Sequence, residues 1–248
     1  RMSGHSHYAT IHRQKELKDA QKGQIFSKLA KEIAIAVKSG GPDPNGNFKL
    51  RMAMDRARAA NMPKDNVERA ISSGSSSAAN LEEATYEGFG PSGIAVMVSA
   101  ATDNRNRTSQ EVKNLFERAG GRLAGPGSVS FNFESKGLLV IEKIAEAETQ
   151  MLTLIDMGVE DIEETDDGIE VYVSPDKLTE TRKKLQDGGF SITSTELFMK
   201  PKSLQTISDP SEAKRALNFL ESLEEHEDVQ KVYANLDIPD AVVSQVSQ

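Results

Sequence analysis

The chain has 248 residues, 37% apolar and 27% charged, which is enough for packed cores and too long for one typical domain. Cysteine and tryptophan are absent, so disulfides, thiolate nucleophiles, cysteine metal sites and broad aromatic platforms for stacking bases are all excluded or disfavoured. The net charge of −8 is divided unevenly: residues 1–75 carry fourteen Lys and Arg against seven Asp and Glu, a net of +7, and the remainder carries −15. A basic front on an acidic body points to a polyanion bound through one end.

The first thirty residues hold no apolar stretch of signal-peptide length, and Ile33–Val37 falls far short of a membrane span. No membrane partner and a cytoplasmic location are expected. Arg1 precedes Met2, where the natural start is expected. Residues 3–18 are polar and cationic without a sustained period, which suits an arm that orders on binding. From Ile25 the pattern changes. Ile25, Leu29, Ile33 and Val37 recur at i+4 steps as one apolar stripe, with Lys28, Lys31 and Lys38 on the opposite face.

The loop Gly40–Gly46 ends that helix, and a second is expected over Asn47–Asn61 with Leu50, Met54 and Ala57 inward. Pro63 suits the first turn of a third helix, Val67, Ala70 and Ile71 its inner face, and Gly74 its C-cap. Ser72–Asn80 reads as a linker, where composition and charge change together. Beyond it the spacing predicts a strand over Ile94–Ala100, a helix over Thr108–Ala119 and a strand over Ser128–Phe133. Thr108-Ser109-Gln110-Glu111 matches a capping box at that helix start.

From Leu138 a second unit follows: strand, helix Glu146–Met157, strand, Asp166-Asp167-Gly168 turn, strand, helix Asp176–Gln186 and strand Phe190–Phe198. That is the ferredoxin-like βαββαβ order. A helix from Ser211 and a strand over Val229–Leu236 remain, and they complete the unfinished β-α-β before the unit. The expected fold is therefore α+β: an N-terminal three-helix domain followed by two ferredoxin-like α/β domains, one inserted into the other. The boundaries are 1–75, 80–135 with 204–238, and 136–203 for the insert.

Cations of the basic domain are the candidates for phosphate contact: His5, Arg13, Lys15, Lys18, Lys22, Lys28, Lys31, Lys49, Arg51, Arg56 and Arg58. The alternative is an ordinary solvated helix face. Arg105 and Arg107, in the polar loop feeding the capped helix, form a second candidate anion site; a loop bonded to its own backbone is the competing reading. His5, His7 and His12 find no cysteine or carboxylate pair to finish a metal shell, so no metal is expected. Gly88-Phe89-Gly90-Pro91-Ser92-Gly93 has the glycine spacing of a dinucleotide loop but leads into a strand, so no cofactor is expected. No catalytic constellation emerges.

The residues Gly4-His5-Ser6, Asp19–Leu29, Asn61-Met62-Pro63-Lys64-Asp65, Tyr86–Pro91 and the Thr102–Thr108 loop together resemble the YebC family across nearly the whole chain. The resemblance implies three domains, a helical bundle and two α/β domains with one interrupted by the other. Members carry the label of DNA-binding transcriptional regulators. Related proteins, among them a mitochondrial translational activator of cytochrome c oxidase, act on translation, and bacterial relatives are linked to stalled ribosomes. The family usually has Lys-Trp where this chain has His7-Tyr8, and more cations where Gln14, Gln21 and Gln24 stand. These departures weaken phosphate binding.

The expected function is that of a non-enzymatic nucleic-acid-binding regulator of gene expression, with DNA as target. A ribosome-associated factor on rRNA or tRNA is the alternative. A protein-interaction scaffold, using the acidic domains to meet a partner, is the second alternative.

Overall fold

The computed structural model describes residues 22–76, 80–159, 161–165 and 168–246. The first three helices are α1 (Lys22–Gly40), α2 (Phe48–Ala59) and α3 (Lys64–Ser75). Their apolar faces close one core around Leu29, Ile33, Val37, Leu50, Ala53, Ala57 and Ala70. Asn47 caps α2 by accepting from the Leu50 N–H at 3.1 Å, and its amide nitrogen donates to Ala36 O and Gly41 O. Gly74 is not a C-cap. It sits inside α3 where a Cβ would lie 2.5 Å from the Ala34 carbonyl, so the absence of a side chain lets α1 and α3 touch.

Strands β1 (Glu82–Phe89) and β2 (Ala95–Thr102) form a hairpin across a tight 3₁₀ turn at Pro91–Gly93. Helix α4 (Arg105–Arg118) leads to β3 (Arg122–Ala124), which returns to β1. The chain then makes β4 (Phe133–Ile141), α5 (Ala147–Asp156), β5 (Asp161–Thr165), β6 (Gly168–Val173), α6 (Leu178–Asp187) and β7 (Ile192–Pro201). These strands pair in the order β5-β6-β4-β7, all antiparallel, as a ferredoxin-like sheet requires. Asp166 and Asp167 of the expected hairpin turn lie outside the described residues, and Thr165 pairs with Gly168 on either side of them.

After β8 (Gln205–Thr206), helix α7 (Pro210–Glu224) and strand β9 (Val229–Ala234) rejoin the first sheet, giving the order β3-β1-β2-β9. Strand β10 (Leu236–Asp237) pairs parallel with β8, and α8 (Asp240–Val246) closes over α7. The fold is α+β, with an N-terminal helical domain and then two α/β domains. Phe116 and Phe219 meet edge-on at 4.9 Å between sheet, α4 and α7.

Besides Gly74, whose helix runs on to Ser75 and takes the first residues of the expected Ser72–Asn80 linker, three further expectations need correction. Of the expected strand over Ser128–Phe133, residues 128–132 form a loop ending in a 3₁₀ turn at Ser130–Asn132 and only Phe133 is strand, the first residue of β4, because the Gly127, Val129 and Ser130 amides donate to the Glu87 carboxylate and not to a neighbouring strand. Helix α4 begins three residues before the expected capping box: Asn104 is the N-cap, accepting from the Arg107 N–H at 3.1 Å. Thr108 is buried within the helix. The face of α1 that carries Lys28 and Lys31 is turned toward α7 and β9 and is not left to solvent.

Candidate nucleic-acid interface

The polar side of α1 docks on the turn between α7 and β9. Lys28 donates to the Glu224 carbonyl, and Lys31 to Asp228 Oδ1 at 2.7 Å and the Glu227 carbonyl at 3.3 Å. Asp228 is the centre of this joint, its side chain only 3% exposed. Its other oxygen accepts from Arg107 at 2.8 Å and from the Thr108 hydroxyl at 2.6 Å. Burial alone would raise this carboxyl, but the bonds from Lys31, Thr108 and Arg107 outweigh it and hold it well below the usual carboxylate range. For Lys28, burial is the stronger influence and lowers its ammonium to about 8, against the pull of Glu224 and Asp228.

Glu111, His226 and Asp228 offer ligand atoms within 4.8 Å of one another. Both Asp228 oxygens already face cations or a hydroxyl, and the Asp228 N–H donates to His226 Nδ1 at 3.1 Å, leaving Nε2 to meet Glu111 at 2.9 Å. The Asp228 carboxylate is thus already bonded by Lys31, Arg107 and Thr108, and Glu111 by His226.

The outward side of α2 has a different character. Arg51 and Arg58 are seven residues apart and so share one helix face, while Lys49 is exposed near its start. Arg58 is 80% exposed. Asp55 is the acid between them, and it is held by Arg182 of α6 at 3.0 Å as well as by Arg58 at 3.4 Å. That contact brings Arg182 up to α2, while Lys183, its neighbour in sequence on α6, is exposed. Met52, on the buried side of α2, packs in the core of the α5–α6 domain, with Phe48 against the same core. Neither Arg182 nor Lys183 was singled out from sequence, since they belong to an acidic domain; a local count of cations on α6, Arg182-Lys183-Lys184, would have marked them.

Each sequence candidate now has a place. His5, Arg13, Lys15 and Lys18 lie outside the described residues, as does the side chain of Lys22. Lys28 and Lys31 face the α7–β9 turn, and Arg56 makes a two-pronged pair with Glu32 at 2.9 Å. Arg107 is taken by Asp103 and Asp228, whereas Arg105 is exposed. On α2, Arg58 is exposed, Arg51 is half-buried with its guanidinium donating to Asn45 O at 3.5 Å, and Lys49 is exposed on the opposite side of the helix from Arg58. The candidates therefore separate into those that join the structure together and those left open to solvent, Arg58, Lys49 and Arg105.

A small helical domain joined to one α/β domain through Lys31–Asp228 and to the other through Asp55–Arg182 defines a three-part α+β protein. The comparisons give the family. A model of the "TACO1/YebC protein N-terminal domain" matches residues 6–77, and one of the "TACO1/YebC second and third domain" matches residues 81–236. The chain belongs to the TACO1/YebC family. It is 45% identical over 250 residues to a "Probable transcriptional regulatory protein" of Dictyoglomus turgidum, covering 99% of this chain and 100% of that one. A relative of the same name in Lactiplantibacillus plantarum is 42% identical, covering 96% and 100%. The crystal structure of a conserved hypothetical protein from Aquifex aeolicus matches with a TM-score of 0.87 and 41% identity, over 95% of this chain and 98% of the other. Among the described residues, no helix is long and apolar enough to cross a membrane.

Proposed function

We propose that this protein is a non-enzymatic, cytoplasmic nucleic-acid-binding regulator of gene expression that grips phosphates with the outward face of α2. The observation that carries this reading is Arg58, 80% exposed on the same face of α2 as half-buried Arg51, with the neighbouring Asp55 shared between Arg58 and Arg182. Such a surface binds through phosphate charge with little sequence reading. The arm cations His5, Arg13, Lys15, Lys18 and Lys22 extend the grip, and exposed Arg105 adds a separate contact. The relatives' shared name, "Probable transcriptional regulatory protein", supports a role in transcription, for which DNA is the natural target.

A second reading, a ribosome-associated factor on rRNA or tRNA, is favoured by one feature of the acidic body. Ile144, Leu152 and Ile155 are each more than half exposed on and beside α5, among Glu142, Glu146, Glu148 and Asp156. An apolar patch rimmed by acids suits a basic protein partner. Ultraviolet crosslinking of the full chain in cells, followed by sequencing of the attached nucleic acid, separates the readings. Enriched chromosomal DNA supports the first and enriched rRNA or tRNA the second. Recovery of no nucleic acid above an uncrosslinked control would refute both.

A further inference from the structure

Phe131 is the one aromatic among the four large apolar side chains most exposed among the described residues, with 72% of its surface open. Single exposed apolar residues are ordinary on loops. This one is unusual in how firmly its backbone is held. On the side before it, Glu87 of β1, only 7% exposed, accepts from the amides of Gly127 at 2.9 Å, Val129 at 2.8 Å and Ser130 at 2.9 Å. Val129 is buried beside Phe133, Ala95 and Met97. On the side after it, the Asn132 carbonyl accepts from the Lys202 N–H at 2.8 Å, and its side chain accepts from the Ser203 hydroxyl at 2.6 Å.

Burying a carboxylate is costly unless it is fully bonded. Burial would raise the Glu87 carboxyl, yet the three loop amides hold it below its ordinary value. The chain thus places an ionised acid in its interior for the sake of a surface loop, and the residue that loop displays is Phe131. The Lys202 ammonium donates to the backbone carbonyl of Phe131 itself at 3.0 Å, so a cation is carried by the same residue as the exposed ring. An exposed aromatic ring on a held backbone, with a cation bonded to the same residue, leaves little backbone freedom to lose on binding and matches a planar base attached to a phosphate.

We propose that Phe131 and Lys202 form a stacking site for one unpaired base of a nucleic acid, the ring carrying the base and the ammonium its phosphate. The site rests on the nucleic-acid reading above and narrows its target to strands with a base out of the duplex. It is one ring, not the broad platform that the aromatic-poor composition excludes. Stacking on one ring accounts for base contact without sequence readout.

The test uses the full chain and two fluorescein-labelled oligonucleotides of equal length, one a perfect duplex and one carrying an unpaired central bulge. Wild type is expected to prefer the bulged probe. Phe131→Ala should lose about 5- to 150-fold on that probe and nothing on the duplex, the range expected for removing one aromatic–base stack. Phe131→Trp should keep the preference. Unchanged thermal unfolding of Phe131→Ala confirms that the loss is local. If wild type binds neither probe, the phosphate-gripping reading falls and this site with it. If wild type binds both and Phe131→Ala changes neither, the stacking site alone is overturned and the ring serves some other contact, such as a protein.

Discussion

Replacing Asp228 with Asn keeps the shape of the side chain and removes its charge from a place where Lys31, Arg107 and Thr108 all converge. Removing one member of a buried ion pair costs about 3–5 kcal/mol when the other is left without solvent. Lys31 is 19% exposed and retains the Glu227 carbonyl, so roughly half of that, about 2 kcal/mol, is the reasonable share. The Thr108 hydroxyl exchanges a charged acceptor for a neutral one, which adds about 1 kcal/mol. Arg107 is open to water and adds nothing to the estimate. A loss of about 3 kcal/mol corresponds to a Tm lower by roughly 6–12 °C for a chain of this length.

Calorimetry at pH 7 on wild type, Asp228→Asn, Lys31→Met and the double variant measures this directly. The coupling between the two sites should be about 1–2 kcal/mol. The folded Asp228 carboxyl lies below its unfolded value of 3.8, so its contribution is full at neutral pH and is lost as pH falls through 3.8 toward the folded value. Wild type and Asp228→Asn should therefore converge in acid. A deficit under about 0.5 kcal/mol at pH 7, or curves that stay parallel into acid, refutes the role of Asp228 as the charge centre of the joint.

Gly74→Ala should destabilise by about 1–3 kcal/mol although alanine is the better helix former, because the added methyl meets the Ala34 backbone at 2.5–2.8 Å; a stabilised variant in urea denaturation would contradict the close helix contact. Arg56→Ala should cost about 1 kcal/mol of stability, through loss of Glu32, and leave nucleic-acid affinity intact, while Arg58→Ala should do the reverse; parallel urea and binding titrations distinguish them. Because burial lowers Lys28 to about 8 in the folded chain, against 10.5 unfolded, its penalty is fully present below pH 8 and is relieved as pH rises toward 10.5. Wild type should thus gain in urea midpoint relative to Lys28→Met across that interval, and a flat difference would exclude a buried ammonium.

The three helices were legible because their apolar residues recur with the helical period and the breaks at Gly40-Gly41-Pro42 and Pro63 are strong signals. The β5-β6-β4-β7 unit was legible because each strand is bounded by a turn or helix signal. Strand β1 was not: Glu87 is buried on it and Gly88 lies under the Phe116 ring, so it lacks the alternation of an ordinary half-buried strand. The same Glu87 hid the loop at 125–132, since its bonds to three amides are long-range and leave no local trace. Of the site, charge counting found the α2 cations but placed equal weight on Lys28, Lys31, Arg56 and Arg107. Their acid partners, Asp228 and Glu32, are remote or a helix away, and sequence spacing carries no sign of them. The contribution of α6 was hidden for the opposite reason, by the acidic average of its domain.

The outward α2 surface is tested most directly by the salt dependence of duplex binding, measured by fluorescence anisotropy for wild type and the Lys49→Ala/Arg51→Ala/Arg58→Ala variant. Affinity should fall steeply with salt for wild type, and the slope of log K against log salt should shrink by up to about 0.9 for each phosphate contact removed. Equal slopes, with both proteins equally folded, would contradict the placement of the phosphate grip on α2.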